Sequence, residues 1–95
     1  SLSLEKKPYK FELLNSYPNP FNPSTTVAFT VPSQMNLDIN IYDIQGRLVE
    51  NLASGLYEHG FYEVDWDAGS MPSGMYFVEL KSLNKSEYIK LMLLK

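Results

Sequence analysis

The sequence predicts an all-β protein, an antiparallel β-sandwich of about seven short strands. Three observations carry this expectation. Apolar and polar residues alternate through much of the chain, at the period of two that a half-buried strand requires. Clusters of Gly, Pro, Asn, Asp and Ser interrupt the alternation every 8 to 12 residues or so, the spacing of sandwich strands. No stretch carries the pattern of a long helix. The chain has 95 residues, 44% of them hydrophobic and 14% aromatic, which suits one globular domain with one modest core.

The first segment, Ser1 to Lys10, is polar and Lys-rich and reads as a linker. Residues 1–13 are assigned to that linker, arriving from a preceding domain, and residues 14–95 to the domain itself. The chain thus reads as a piece of a longer protein, with Ser1 a cloning remnant. Within this region Lys10–Ser16 is the candidate for a short first strand. Next comes "YPNPFNPST", Tyr17 to Thr25. Its prolines lock φ near about −65° and push Tyr17, Asn19 and Asn22 toward extended backbone. Neither a helix nor a regular strand suits it, and it loses little entropy on ordering. It reads as a rigid collar, with Phe21 plugging the end of the sandwich and the asparagines capping turns.

The strands follow. Thr25–Val31 alternates, with Val27, Phe29 and Val31 on one face and Ala28 and Thr30 on the other; Pro32 stops it. Asn36–Ile44 puts Leu37, Ile39 and Ile41 inward and Asp38, Asn40 and Tyr42 outward. Gly46 supplies the positive φ of a tight hairpin turn, and Arg47–Ala53 returns, with a short helical turn as the competing assignment. Gly55–Gly60 reads as a loop. Phe61–Asp67 sets Tyr62, Val64 and Trp66 against Glu63, Asp65 and Asp67, with Trp66 the large core filler. Ala68–Gly74 is a turn-rich connection. Met75–Lys81 turns Tyr76, Val78 and Leu80 inward and Glu79 and Lys81 outward. Ser86–Lys95 closes the chain with Ile89, Leu91 and Leu93 inward. Tyr76 follows a glycine turn at the start of the penultimate strand. That is the place of the tyrosine corner in an immunoglobulin-like sandwich, where the hydroxyl bonds to nearby backbone.

Composition excludes several functions. Eight basic and eleven acidic residues are interspersed, net −3, with no basic stripe for nucleic acid. The longest apolar run, Leu91 to Leu94, falls far short of the roughly 20 residues of a membrane-spanning helix, so no membrane insertion is expected. Without cysteine there is no disulfide, thiol catalysis or thiolate metal site.

Candidates for chemistry are few. His59, the sole histidine, sits between glycine-rich flanks beside Glu58 with no nucleophile pattern nearby, and reads as an exposed loop residue. Glu63, Asp65 and Asp67 share one strand face at about 6.6 Å spacing. A charged outward face is the ordinary reading; Asp65 and Asp67 are also weak calcium candidates, and a carboxylate pair for catalysis is the third reading. Tyr42, Tyr57, Phe61 and Phe77 are candidates for a sugar-binding platform. No catalytic residue, cofactor or firm metal site is expected. Lys90 and Lys95 flank an apolar run that reads as an edge strand, because lysines discourage unwanted edge pairing.

The order of these features resembles a family. "YPNPFNPSTTVAFTVP", "INIYDIQGRLVENL", "YEVDWDAGSMPSGMYFVEL" and the terminal "YIKLMLLK" occur in the sequence and spacing of the type A C-terminal sorting domain of the type IX (Por) secretion system. The resemblance covers about Leu14 to Lys95. It rests on Tyr17, Pro18, Asn19, Pro20 and Phe21, then Gly46, then Pro72, Ser73, Gly74 and Tyr76, and finally Lys90, Leu91, Leu93 and Lys95. "WDAGSMPSGMYFVEL" also resembles the immunoglobulin-like domain of the flagellar hook-capping protein, which supports the architecture either way.

The resemblance implies a role as an address rather than a catalyst. The domain would sit at the C-terminus of a covalently linked cargo. A Sec signal would take that cargo to the periplasm, and the outer-membrane translocon with its shuttle proteins would recognise the domain. A sortase-like surface peptidase would then remove it within roughly Ser1 to Tyr17, leaving the cargo on the cell surface or in the extracellular space. The terminal strand, if it forms a sheet edge, would offer backbone groups for strand addition to a receptor. An accessory glycan-binding module or a structural spacer on an extracellular enzyme are the alternatives.

Overall fold

The computed structural model describes residues 9–95, so the part of the expected linker over residues 1–8 lies outside the described residues. Seven strands follow in order: β1 (Glu12–Leu13), β2 (Ser24–Val31), β3 (Met35–Asp43), β4 (Leu48–Tyr57), β5 (Gly60–Asp67), β6 (Gly74–Lys81) and β7 (Ser86–Leu93). They form two antiparallel sheets, β1-β2-β5 and β4-β3-β6-β7. No helix occurs among the described residues. The immunoglobulin-like sandwich expected from the alternation is the architecture observed.

The inward positions are those that the period of two selects. Val27, Phe29 and Val31 from β2 meet Leu37, Ile39 and Ile41 from β3, and Val78 and Leu80 from β6 with Leu91 and Leu93 from β7 complete the layer. Each aliphatic side chain so buried contributes about 1.5–3 kcal/mol through removal of apolar surface from water. Phe11 and Leu13 join the same core, so the packed chain begins before residue 14, the expected start of the domain.

Four details depart from the alternation pattern. The first strand is only Glu12–Leu13, not Lys10–Ser16. On β2 the second face is buried too, including Ala28 and Thr30. This strand is the middle of its sheet, and Thr25 and Thr30 each donate a hydroxyl proton to a carbonyl, of Pro18 and of Lys10. β4 runs on through the expected Gly55–Gly60 loop as far as Tyr57, and β5 begins at Gly60. Glu79, placed outward by its register, is nonetheless 4% exposed.

The hairpin between β3 and β4 forms where Gly46 predicts it, with φ +82° at that residue, a left-handed conformation natural to glycine. The Gly46 amide donates to the Asp43 carbonyl at 2.9 Å. The Asp43 carboxylate accepts the amides of Gln45 and Arg47 and pairs with Arg47 Nε at 2.9 Å. The Arg47 amide and guanidinium hold the Asp43 carboxyl below its ordinary range despite partial desolvation.

Candidate functional site: the motif end of the sandwich

The collar is a crossover between the two sheets. At its start, Tyr17 exchanges both backbone bonds with Thr26 of β2, at 3.1 and 2.9 Å. The Tyr17 hydroxyl donates to the Glu63 carboxylate of β5. The chain then reaches the outer edge of β7. Asn19 binds this edge with its side chain: Nδ2 donates to the Lys90 carbonyl at 3.0 Å, and Oδ1 accepts the Met92 amide at 3.1 Å. Two residues on, the Phe21 amide donates to the Met92 carbonyl at 2.9 Å and the Leu94 amide donates to the Phe21 carbonyl at 3.0 Å. The carbonyl of Pro23 accepts the Ala68 amide, and β2 begins at the next residue. The asparagine therefore acts as a short side-chain strand, with one donor and one acceptor in the positions a neighbouring peptide unit would fill.

Phe21 is the plug that its place in the sequence suggests. It is 2% exposed and packs on Trp66 with ring centroids 5.4 Å apart. Trp66 in turn meets Tyr76 edge-on at 5.5 Å. Tilted and edge-to-face pairs of this kind add about 0.5–1.5 kcal/mol beyond burial. The Trp66 indole donates to Glu50 of β4 at 3.0 Å, tying β5 to the opposite sheet. Tyr76 forms the expected corner: its hydroxyl donates to the Pro72 carbonyl at 2.6 Å. Burial, and then the Asp43 charge, push the Tyr76 phenol up.

The terminal residues close the same end. The Lys95 amide donates to Ser73 Oγ at 3.0 Å and its Nζ to the Gly69 carbonyl at 2.8 Å. The Gly46 hairpin stands alongside, because Asp43, Ile44 and Arg47 line a shallow hollow with Met71, Pro72 and Ser73. Thus Tyr17 to Phe21, Gly46, Pro72 to Tyr76 and Lys90 to Lys95 gather at one end of the sandwich.

The terminal strand is a sheet edge, but it is not open along its length. Asn19 and Phe21 already occupy the outward backbone groups around Lys90, Met92 and Leu94. Further along, Glu87 accepts the Leu13 amide from the facing sheet at 2.9 Å. Strand addition over the terminal part of β7, from Lys90 onward, would require displacing Phe21, a core residue.

Sequence reasoning missed the polar knot on the outer face. Glu79 of β6 lies opposite Asn40 of β3 and Tyr88 of β7. Its Oε1 accepts from Tyr42 at 2.7 Å and Asn40 at 3.2 Å, while Oε2 accepts from Tyr88 at 2.8 Å and Ser86 at 3.1 Å. Burial pushes the Glu79 carboxyl up, and the four donors outweigh it, holding the group below its usual value. The same carboxylate, with burial, pushes the Tyr42 phenol up to about 12. Only cross-strand register brings these residues together. The available sequence signal is the polar triple Asn40, Tyr42 and Glu79 on outward positions of strands that pair.

The other candidates do not assemble. Asp65 accepts the Thr26 hydroxyl and Asp67 the Gly69 amide. No group of three or more metal-ligating side chains forms among the described residues. The aromatic candidates are scattered: Tyr57 packs against Phe29 and Tyr62, Phe61 lies on β5 of the other sheet, and only Tyr42 and Phe77 are cross-strand neighbours. His59 is half-buried rather than exposed, with the Tyr9 ring 5.1 Å away.

A family model described as the secretion system C-terminal sorting domain matches residues 15–94. No curated protein matches the chain. Among solved structures it is similar to PorZ of Porphyromonas gingivalis, a human oral-microbiome bacterium, where PorZ is an essential bacterial surface component of the type-IX secretion system. The two are 27% identical with a TM-score of 0.60, over 85% of this chain and 11% of PorZ. With the family match running from the collar to the last strand, this chain belongs to the C-terminal sorting domains of the type IX secretion system.

Proposed function

We propose that the domain is recognised at its motif end, as the folded address of a covalently attached cargo. The convergence of the collar, the Pro72–Tyr76 turn and the terminal residues supports this reading, since segments more than 70 residues apart in sequence present one surface. The cargo passes through the periplasm, and the outer-membrane translocon and its shuttle proteins bind this end. A sortase-like surface peptidase then cuts ahead of the collar, within roughly Ser1 to Tyr17. The domain supplies affinity and shape, and any catalysis belongs to the cargo. Its output is a protein on the cell surface or in the extracellular space.

Deleting Tyr88 to Lys95 from such a cargo removes Leu91, Leu93 and the groups that hold Asn19 and Phe21. The truncated cargo is expected to accumulate in the periplasm, as measured by fractionation and surface proteolysis. Surface delivery at the level of the intact cargo would overturn the reading.

A further inference from the structure

Glu79 is a buried acid with no partner of opposite charge. Its four donors, Tyr42, Asn40, Tyr88 and Ser86, are all neutral. Among the described residues no Lys, Arg or His lies within ion-pairing distance of it. The donors hold its carboxyl below the usual value, so the group stays ionised. Buried charges are ordinarily paired, and this one leaves a fixed negative potential on the sheet face without a counter-charge.

Beside it is a place for one. Tyr42, Asp43, Ile44, Gly46, Phe77 and Tyr88 line an open hollow of about 370 Å³, within the roughly 300–1,000 Å³ of ligand sites. In the ladder Phe77 lies opposite Tyr42, and Tyr88 is diagonal to it on β7. The three rings do not stack on one another, so they border the space rather than fill it. Their bonds to Glu79 already order Tyr42 and Tyr88, which lowers the entropy lost on binding. Both phenol protons go to Glu79, so towards a ligand the two oxygens act only as acceptors. The Asp43 carboxylate is an acceptor too, with Arg47 balancing its charge. The lining side chains thus offer acceptors, ring faces and the exposed Ile44, and no hydrogen-bond donor.

We propose that this hollow receives the arginine side chain of a partner protein. A guanidinium brings five N–H donors, no acceptor, a permanent charge and a flat face that lies well on aromatic rings. Glu79 supplies its counter-charge through the two phenols. A sugar brings hydroxyl acceptors that the lining side chains cannot match, and a lysine ammonium is more strongly hydrated and has no flat face. Lys90, opposite Phe77, does not line the hollow. The site adjoins the motif end through Gly46 but does not depend on recognition there.

The test is an NMR titration of the isotope-labelled chain with acetyl-Gly-Arg-Gly-amide. Signals of Tyr42, Ile44, Phe77 and Tyr88 are expected to shift together and saturate, with Kd about 1–50 mM, as suits a single side chain. The neutral isostere with citrulline in place of arginine should bind at least about 10-fold more weakly, and methyl glucoside should leave these signals unmoved. Two variants act by different routes. Phe77→Leu keeps apolar contact and removes a ring face, and Glu79→Gln keeps shape and removes the charge. Each is expected to weaken binding about 3- to 10-fold while the chain stays folded. The absence of a saturable shift up to about 200 mM peptide would overturn the proposal. So would citrulline peptide or glucoside binding as well as the arginine peptide, or folded variants that keep the affinity of the wild type.

Discussion

Phe21→Ala is expected to lower the stability of the domain by about 3–5 kcal/mol, the cost of emptying an aromatic site in a packed core. The ring is 2% exposed and wedged against Trp66, so the cavity cannot fill by simple collapse. The loss extends beyond the ring. Phe21 also carries the two backbone bonds that join the collar to Met92 and Leu94, and a loosened collar exposes the β7 edge. Against a total of about 5–15 kcal/mol for a domain of this kind, the variant is left near or below marginal stability. Chemical denaturation of the wild type and the variant measures the difference. A loss below about 1 kcal/mol would mean that the collar is a linker lying on the surface rather than part of the core.

Glu79→Ala is expected to cost about 2–4 kcal/mol, because it leaves the part-buried donors of Asn40 and Tyr42 without their acceptor at about 1–3 kcal/mol each. Tyr88 is 59% exposed as a residue, so its hydroxyl reaches water more easily on losing Glu79 and adds less. The milder Glu79→Gln separates charge from shape. Since folding depresses the Glu79 carboxyl, its extra stabilisation is fully present above the ordinary glutamate value of about 4.3 and fades as pH falls through the folded value. The stability gap between wild type and Glu79→Gln should therefore be constant from about pH 6 to 7 and close below about pH 4. A gap that does not change with pH would show that Glu79 is not held as a carboxylate by its four donors.

Much of the fold is legible in the residues because each inward face is built by local alternation. Leu37, Ile39 and Ile41 are two apart, and nothing distant is needed to read them. Tyr76 could be placed as a corner because its partner, Pro72, is four residues away. What escaped depends on pairing between remote segments. Glu79 looks like an outward acid until Asn40, Tyr42, Ser86 and Tyr88 arrive from other parts of the chain. Gly55 and Gly60 look like the limits of a loop, but Gly55 lies within β4 and Gly60 opens β5 with backbone at φ +158°. The collar was readable as rigid and as the bearer of a plug. That Asn19 spends its side chain on Lys90 and Met92 was not, because no local pattern names a partner more than 70 residues away.

That remote pairing gives the motif its physical sense. The collar holds the terminal strand and the terminal strand holds the collar, so under the proposed function the sorting signal is one folded end. On that reading a receptor bound to this end would contact both termini of the domain together, and an unfolded or truncated tail would present nothing to bind. The most direct test is transfer of the domain to a reporter that carries a Sec signal, expressed in a host with the type IX machinery. The reporter fused to residues 9–95 is expected to reach the cell surface, while the same fusion carrying Phe21→Ala remains inside the outer membrane. Retention of the intact fusion in the periplasm, with its sorting domain shown to be folded, would contradict it.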